Sequence, residues 1–100
     1  MVNGCKTFAD RTDTAASRTL TWDFPIATAA ERCTTVKVGQ SVTFNGSFST
    51  HPLVGSGGGT PNPIGAAQAA AGVATFTKAG TFGFLCSFHP AMTGAIKVVE

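Results

Sequence analysis

The stretch "GVATFTKAGTFGFLC", residues 72–86, gives the clearest indication of the fold class of this 100-residue chain. Apolar side chains recur at every second position on both sides of a turn-forming Lys-Ala-Gly run at residues 78–80. They are Ala74, Phe76, Phe82, Phe84 and Cys86. Because successive side chains of a β-strand point to opposite faces, this spacing predicts two half-buried strands, the second ending at Cys86.

The same alternation continues toward both ends of the chain. The residues predicted to share an inward face are Leu20 with Trp22 and Phe24, Val36 with Val38, Val42 with Phe44, and Ile96 with Val98. A Gly-Gln turn at residues 39–40 separates two of these groups, and the alanine-rich residues 64–72 could hold one helical turn at most. Short strands separated by turn signals at roughly 8 to 12 residue intervals predict an all-β sandwich or barrel.

Length and charge exclude several classes of protein. One hundred residues allow a single domain, residues 1–100, with one hydrophobic core. The net charge is +2 and the seven basic and five acidic residues are scattered, so we expect no nucleic-acid partner. No apolar run approaches the roughly 20 residues that cross a bilayer, so we expect no membrane span in this chain.

Two polar stretches are predicted to be connections between strands. Residues 54–65, "VGSGGGTPNPIG", are too rich in glycine to pack a core and are predicted to form a mobile surface loop. The glycine-rich part at 55–59 has no role that the sequence indicates. Residues 45–47, Asn-Gly-Ser, match a glycosylation acceptor, but an Asn-Gly turn after a strand is the simpler interpretation.

The chain has three cysteines, so pairing two of them leaves one thiol free. We interpret Cys5 and Cys33 as a disulfide, because Cys86 ends a strand and has a histidine three residues further on. Two free buried thiols remain the alternative. A disulfide indicates an oxidising compartment, so the protein is expected to be periplasmic or secreted.

The third cysteine begins the motif "CSFHPAM", residues 86–92, which holds a thiol, an imidazole and a thioether. A buried structural thiol is one interpretation, and a nucleophile is another, although no orienting carboxylate or amide accompanies it. A metal site is the third interpretation. Thiolate, thioether and imidazole ligands suit copper, whereas structural zinc usually takes four cysteine or histidine ligands. His51 supplies a second imidazole, and copper is the metal that this donor set favours.

These residues together resemble the metal site of the cupredoxins, the type 1 copper proteins. The resemblance covers roughly residues 33–100 and consists of a strand, the lone His51, the strand "AGTFGFLC", and then the spacing Cys-x2-His-x2-Met. Within the family, the short ligand loop is most like that of the amicyanins. The plastocyanins have a longer gap between the loop histidine and the methionine.

The resemblance implies a Greek-key β-sandwich of about seven to eight strands. It implies one mononuclear copper ion with His51, Cys86 and His89 as equatorial ligands and Met92 as a weak axial ligand. The implied task is to shuttle single electrons between redox proteins. No small-molecule substrate is turned over, so we expect a non-enzyme, and a monomer. The alternative function is copper handling by a periplasmic carrier or resistance protein.

The resemblance also implies roles for residues beside the ligands. Pro52 lacks the backbone N–H that commonly donates to the thiolate sulfur in this family, whereas Phe88 retains a second such donor. Redox partners are expected to dock briefly on an uncharged patch around His89. The other expected members of that patch are Leu53, Pro90 and Ala91.

Overall fold

The structure, a computed structural model, describes residues 1–100 as eight β-strands and four short 3-10 helices. The strands are β1 (Ala9–Asp10), β2 (Thr19–Trp22), β3 (Cys33–Lys37), β4 (Ser41–Gly46), β5 (Leu53–Gly58), β6 (Val73–Thr75), β7 (Gly80–Cys86) and β8 (Thr93–Val99). The helices are Phe24–Thr28, Ala30–Arg32, Pro63–Ala66 and Gln68–Ala70. None of these helices is long and apolar enough to cross a membrane.

The strands form two sheets, one of five strands in the order β1-β3-β8-β7-β5 and one of three in the order β2-β4-β6. The chain passes from one sheet to the other at every connection except the antiparallel hairpin of β7 and β8. Pairs such as β3 with β8 and β2 with β4 are parallel, because their connections cross over. The prediction of an all-β sandwich, with its number of strands, is confirmed.

The inward faces of both sheets build one core of 17 buried residues. Trp22 packs edge-on against Phe44 of its own sheet and Phe84 of the other, with ring centroids 5.7 Å away in both cases. Burial of each phenylalanine stabilises the fold by roughly 1.5–3 kcal/mol. The predicted inward residues that are buried are Leu20, Trp22, Val36, Val42, Phe44, Ala74, Phe76, Phe82, Phe84, Cys86, Ile96 and Val98.

Two residues predicted to face inward are exposed. Val38 lies one residue beyond the end of β3, where the chain turns toward the other sheet and leaves the residue 39% exposed. Phe24 is 57% exposed, because β2 ends at Trp22. The Asp23 side chain accepts a hydrogen bond from the N–H of Phe24 and starts a 3-10 helix there, which turns the Phe24 ring away from the core.

The prediction of a surface loop over residues 54–65 is wrong for its first half. Residues 53–58 form β5, an edge strand that pairs antiparallel with β7 through a bulge between Gly55 and Gly58. Gly58 has a left-handed φ of +79°, and a Cβ atom at this position would overlap the carbonyl oxygen of Thr81. The glycines therefore permit the bulge, and the same stretch ends with Ile64 buried in the core.

Residues 45 and 46 do not form the turn that the Asn-Gly pair suggested. Both belong to the end of β4, paired with Thr21 and Trp22 of β2. A Cβ atom at Gly46 would overlap the carbonyl oxygen of Trp22, so the glycine allows the two strands to approach closely. The turn follows at residues 48–50.

The predicted disulfide between Cys5 and Cys33 is confirmed, with an S–S distance of 2.04 Å. It attaches the amino-terminal segment to the start of β3. The guanidinium of Arg32 extends this connection, because it donates hydrogen bonds to the carbonyl oxygens of Asn3 at 3.0 Å and Thr93 at 3.1 Å. Thr93 directly follows the ligand motif, so this cross-link reaches the residues that carry the candidate site.

Candidate metal centre

The motif of residues 86–92 is the loop of the β7–β8 hairpin, and backbone hydrogen bonds close it on itself. The N–H of Cys86 donates to the carbonyl oxygen of Met92 at 2.9 Å, which continues the ladder of the two strands by one rung. Inside the loop, the N–H of His89 donates to the carbonyl oxygen of Cys86 at 3.2 Å, and the N–H of Met92 donates to the carbonyl oxygen of His89 at 2.9 Å. The three-residue spacing of the motif therefore corresponds to two successive turns.

His51 reaches this loop because β5 pairs with β7. Leu53 lies opposite Cys86 in the ladder, and the N–H of Ser87 donates to the carbonyl oxygen of Pro52 at 3.0 Å. The residue before Pro52 is thereby placed beside the cysteine. A hydrogen bond of 2.9 Å from the Trp22 indole Nε1 to the His51 carbonyl oxygen fixes the backbone, and the His51 side chain is buried, with 4% of the residue exposed.

Three side-chain atoms converge at this point. The Nδ1 atoms of His51 and His89 are 3.1 Å apart, and each is 3.8 Å from the sulfur of Cys86. A point in their plane and equidistant from them lies ~2.1 Å from each atom, within the usual 2.0–2.3 Å of metal–nitrogen and metal–sulfur bonds. The three residues could therefore hold one metal ion.

The donor set defines what kind of ion fits. One thiolate sulfur and two imidazole nitrogens are soft to intermediate ligands, and no carboxylate belongs to the cluster. Hard ions such as magnesium and calcium are bound by oxygen ligands, so this site does not suit them. His51, Cys86 and His89 would instead hold a soft or intermediate metal ion.

Met92 is buried at the end of the loop, next to Cys86 through the backbone hydrogen bond described above. It also belongs to the hydrophobic core that Phe84 and Cys86 share. Its role as an axial ligand stays a prediction. Cys86 is the free, buried cysteine of the chain, as expected from the disulfide pairing of the other two.

Asp23 and Phe24 contact the two histidines, and sequence reasoning assigned neither of them to the site. The Asp23 carboxylate lies 3.2 Å from Nε2 of His51, on the opposite side of the ring from the cluster. The Phe24 ring stands edge-on to the imidazoles of both His51 and His89. The sequence "WDFP" does contain a helix-start signal, an aspartate followed by a proline two residues on. Nothing local to it indicates contact with His51.

The other residues expected near the site differ in their exposure to solvent. Pro90 and Ala91 are exposed in the loop, and Phe88 is exposed beside them. Leu53, in contrast, is 2% exposed because its side chain belongs to the core, so it cannot contribute to a docking patch.

The N–H of Phe88 makes no hydrogen bond to the Cys86 sulfur in the structure. The polar partners of this sulfur are the two imidazole Nδ1 atoms. The expectation of a second backbone donor at Phe88 is therefore corrected. The turn from Cys86 to His89 uses the N–H of His89, which bonds to the Cys86 carbonyl oxygen. Pro52 contributes a carbonyl oxygen to Ser87, and proline has no N–H with which to reach the sulfur.

No protein-family model, curated protein or solved structure matches this chain. The fold and the cluster define an all-β sandwich that could hold one metal ion between two histidines and a cysteine. This architecture is compatible with the cupredoxin resemblance of the sequence motif.

Proposed function

We propose that this protein is a small electron-transfer protein with a type 1, or blue, copper centre. The observation that carries the proposal is the convergence of one cysteine sulfur and two histidine Nδ1 atoms on a single point, ~2.1 Å from each of them. A trigonal site of two histidines and one cysteine, with a weak axial methionine, is typical of blue-copper electron-transfer centres. Met92 lies at the position in the loop that would supply this fourth ligand.

The surroundings support a fixed redox centre. A bound copper ion would supply a one-electron couple, accepting an electron from a reduced protein partner and passing it to an oxidised one. The chain holds the donor atoms through the β5–β7 and β7–β8 ladders, so their positions need not change with the oxidation state. His51 and Cys86 are buried, whereas His89 is partly exposed and offers the route to a docked partner.

The exposed surface around His89 supports brief docking of other proteins. Phe24 and Phe88 are exposed, as are Pro90 and Ala91 in the loop. Small apolar surfaces of this kind suit partners that associate and separate quickly. We therefore propose transient redox partners, no turnover of a small-molecule substrate, and hence no enzymatic activity.

Copper handling is the alternative function within the same chemistry. A carrier usually exchanges its metal through exposed ligands, whereas two of the three residues of the cluster are buried here. This burial favours the shuttle over the carrier. The confirmed disulfide supports an oxidising compartment, so we propose a periplasmic or secreted location.

Copper(II) added to metal-free protein tests the proposal, with Cys86→Ser as the variant and Ser87→Ala as the matched control. We expect the wild type and the Ser87→Ala variant to develop an intense visible thiolate-to-copper band and a reversible one-electron wave. The Cys86→Ser variant is expected to lose the band while keeping its fold by circular dichroism, because the core is built mostly from other residues. An intense band in the serine variant would show that Cys86 is not the ligand.

The same titration separates the alternatives. Tight binding of copper(I) without the visible band in the wild type supports copper handling. Absence of binding by either copper ion leaves a sandwich domain whose histidines and cysteine meet for another reason, and contradicts both copper functions.

A further inference from the structure

The dipeptide Asp23–Phe24 lies far from the ligand motif in sequence but contacts both histidines of the cluster. Asp23 Oδ1 is 3.2 Å from Nε2 of His51. The centroid of the Phe24 ring is 4.9 Å from that of His51 and 4.8 Å from that of His89. The two residues directly follow β2, a strand of the opposite sheet from Cys86.

The carboxylate of Asp23 determines which nitrogen of His51 is available for a metal. A neutral imidazole carries one N–H, and the hydrogen bond made by one nitrogen decides where that hydrogen sits. Asp23 can only accept, so Nε2 carries the hydrogen and donates it to the carboxylate. Nδ1 then presents its lone pair to the point shared with Cys86 and His89. Ligands of this kind commonly depend on a carboxylate at the other ring nitrogen.

The ring of Phe24 restricts the orientation of both imidazoles. It meets the His51 ring at an interplanar angle of 82° and the His89 ring at 74°, while the two imidazoles meet each other at 63°. The three rings therefore form an edge-to-face triad in which each ring contacts the other two. A change in the plane of either imidazole would therefore disrupt its edge-to-face contact with Phe24.

The dipeptide is itself held in place by independent contacts. Asp23 Oδ1 accepts a hydrogen bond of 2.8 Å from the N–H of Phe24, which begins the 3-10 helix. The preceding Trp22 is fully buried, and its indole is bonded to the His51 carbonyl oxygen. Segment 22–24 thus fixes the backbone of His51 through Trp22 and the ring of His51 through Asp23.

We propose that Asp23 and Phe24 are positioning residues that hold His51 and His89 in their metal-binding orientation before an ion arrives. The inference rests on one part of the proposed function, namely that the cluster binds a metal ion. It does not require that ion to be copper. Asp23 selects the nitrogen of His51 that faces the site, and Phe24 sets the orientation of both rings.

Asp23→Ser tests the role of the carboxylate. Serine can still begin the 3-10 helix, but its shorter side chain does not reach His51. Asp13→Ser is the matched control, because Asp13 Oδ1 also accepts a backbone N–H, that of Ala15 at 2.8 Å, in a turn without contact to the site. Two measurements are made: nitrogen-15 NMR of the histidines in metal-free protein, and titration with cobalt(II) as a spectroscopic probe.

We expect wild-type His51 to be in the Nε2–H form in metal-free protein, and the Asp13→Ser variant to match it. The Asp23→Ser variant should show a mixture of the two neutral forms and bind cobalt(II) about 10- to 100-fold more weakly. Asp23→Asn, which keeps an acceptor oxygen, should recover part of both properties. The proposal for Asp23 is wrong if the Asp23→Ser variant retains the Nε2–H form and wild-type cobalt(II) affinity.

Phe24→Leu tests the role of the ring, with Phe88→Leu as its control. Phe88 is also an exposed aromatic residue of this surface, but its ring makes no aromatic contact with either histidine. We expect Phe24→Leu to broaden the ring resonances of His51 and His89 in metal-free protein and to weaken cobalt(II) binding several-fold. Equal behaviour of the two leucine variants would overturn the role of Phe24.

The outcomes distinguish this inference from the proposed function. If the wild type binds cobalt(II) but forms no blue copper centre, the electron-transfer proposal fails, and the variants still test the positioning role. If the wild type forms the blue centre but Asp23→Ser and Phe24→Leu behave as their controls do, only the positioning role fails. A wild type that binds neither ion contradicts both.

Discussion

Cys86 takes part in the candidate site through its sulfur and in the sheet through its backbone. Its N–H and carbonyl oxygen bond to Met92 and His89, so the cysteine has little freedom to move. The sulfur meets only the two imidazole nitrogens as polar partners. A thiolate with few hydrogen bonds is sensitive to any donor that is added beside it, because hydrogen bonds to sulfur adjust the potential of a metal centre.

Pro52→Ala tests this sensitivity by adding an N–H next to His51. Reduced copper leaves more negative charge on the sulfur, so a new N–H donor there would stabilise the reduced state. A hydrogen bond to a charged group contributes roughly 1.5–3 kcal/mol, and a difference of about 1 kcal/mol between oxidation states corresponds to ~40 mV. We expect the reduction potential of the copper-loaded variant to rise by a few tens of millivolts in voltammetry.

The backbone should tolerate this change, because Pro52 accepts a hydrogen bond from Ser87 through its carbonyl oxygen, which alanine retains. An unchanged visible band would show that the coordination is intact. A fall in potential with an unchanged band would mean that water admitted by the smaller side chain outweighs the new hydrogen bond.

At the scale of the elements, β5 connects the candidate site to the glycine-rich edge of the sheet. It begins two residues after His51 and pairs with the strand that ends at Cys86. The left-handed Gly57 and Gly58 lie in the bulge across which the register of this edge strand with β7 shifts. The glycines are therefore part of the architecture that brings the two sequence motifs together.

Gly58→Ala is expected to destabilise the protein by about 1–3 kcal/mol, measured by chemical denaturation of metal-free protein. The variant combines an unfavourable positive φ with overlap of its Cβ and the Thr81 carbonyl oxygen. Gly65→Ala is the control, because no atom lies within 4 Å of a Cβ there, and its stability should change by less than about 1 kcal/mol. Equal stabilities of the two variants would show that the bulge is not constrained.

The disulfide acts on a larger segment, since it closes a loop over a sequence separation of 28 between Cys5 and Cys33. Replacing both cysteines by serine should lower the free energy of unfolding by about 3–4 kcal/mol, because the unfolded chain regains the entropy of the open loop. Denaturant titration of metal-free protein measures this difference. The copper-loaded variant should keep its visible band, since neither cysteine belongs to the cluster. A loss below about 1 kcal/mol would contradict the estimate.

At the scale of the whole molecule, charge is distributed unevenly between the two ends of the sandwich. The segments that meet at the candidate site, residues 47–53 and 86–92, contain no charged side chain. Strands β4 and β7 run toward the site, whereas β3 and β8 run away from it. Five of the seven basic residues consequently lie in the half of the sandwich away from the site: Arg11, Arg18, Lys37, Lys78 and Lys97.

We expect the rate of electron exchange with a redox partner to depend only weakly on salt concentration, because few charged side chains lie near His89. A change of less than about threefold between low and high ionic strength is the expected result in stopped-flow measurements. Asp23, 59% exposed, is the charged group beside the cluster. A steep fall in rate with added salt would instead indicate electrostatic docking.

Most of the buried residues of the strands, and the chemistry of the candidate site, could be predicted from the amino-acid sequence. Alternation predicts the inward face of a strand because the two faces of an extended chain differ in their contact with water. The predictions for Phe82, Phe84 and Ile96 are confirmed for this reason. The cluster of His51, Cys86 and His89 agrees with the ligand set that the cupredoxin resemblance implied from the motif of residues 86–92 and the lone His51.

Which strands pair, and which residues surround the cluster, depends on how the two sheets pack. The alternation of apolar and polar residues indicates that one face of a strand is buried, but not which strand lies beside it. The crossing of the chain between the two sheets could therefore not be predicted from any local pattern. Asp23 reaches His51 through the pairing of β2 with β4 and the contact of Trp22 with the other sheet. Leu53 is buried because it lies opposite Cys86 in β5, a strand that the glycine-rich sequence did not predict. These contacts join residues far apart in the chain, and only the packing of the two sheets brings them together.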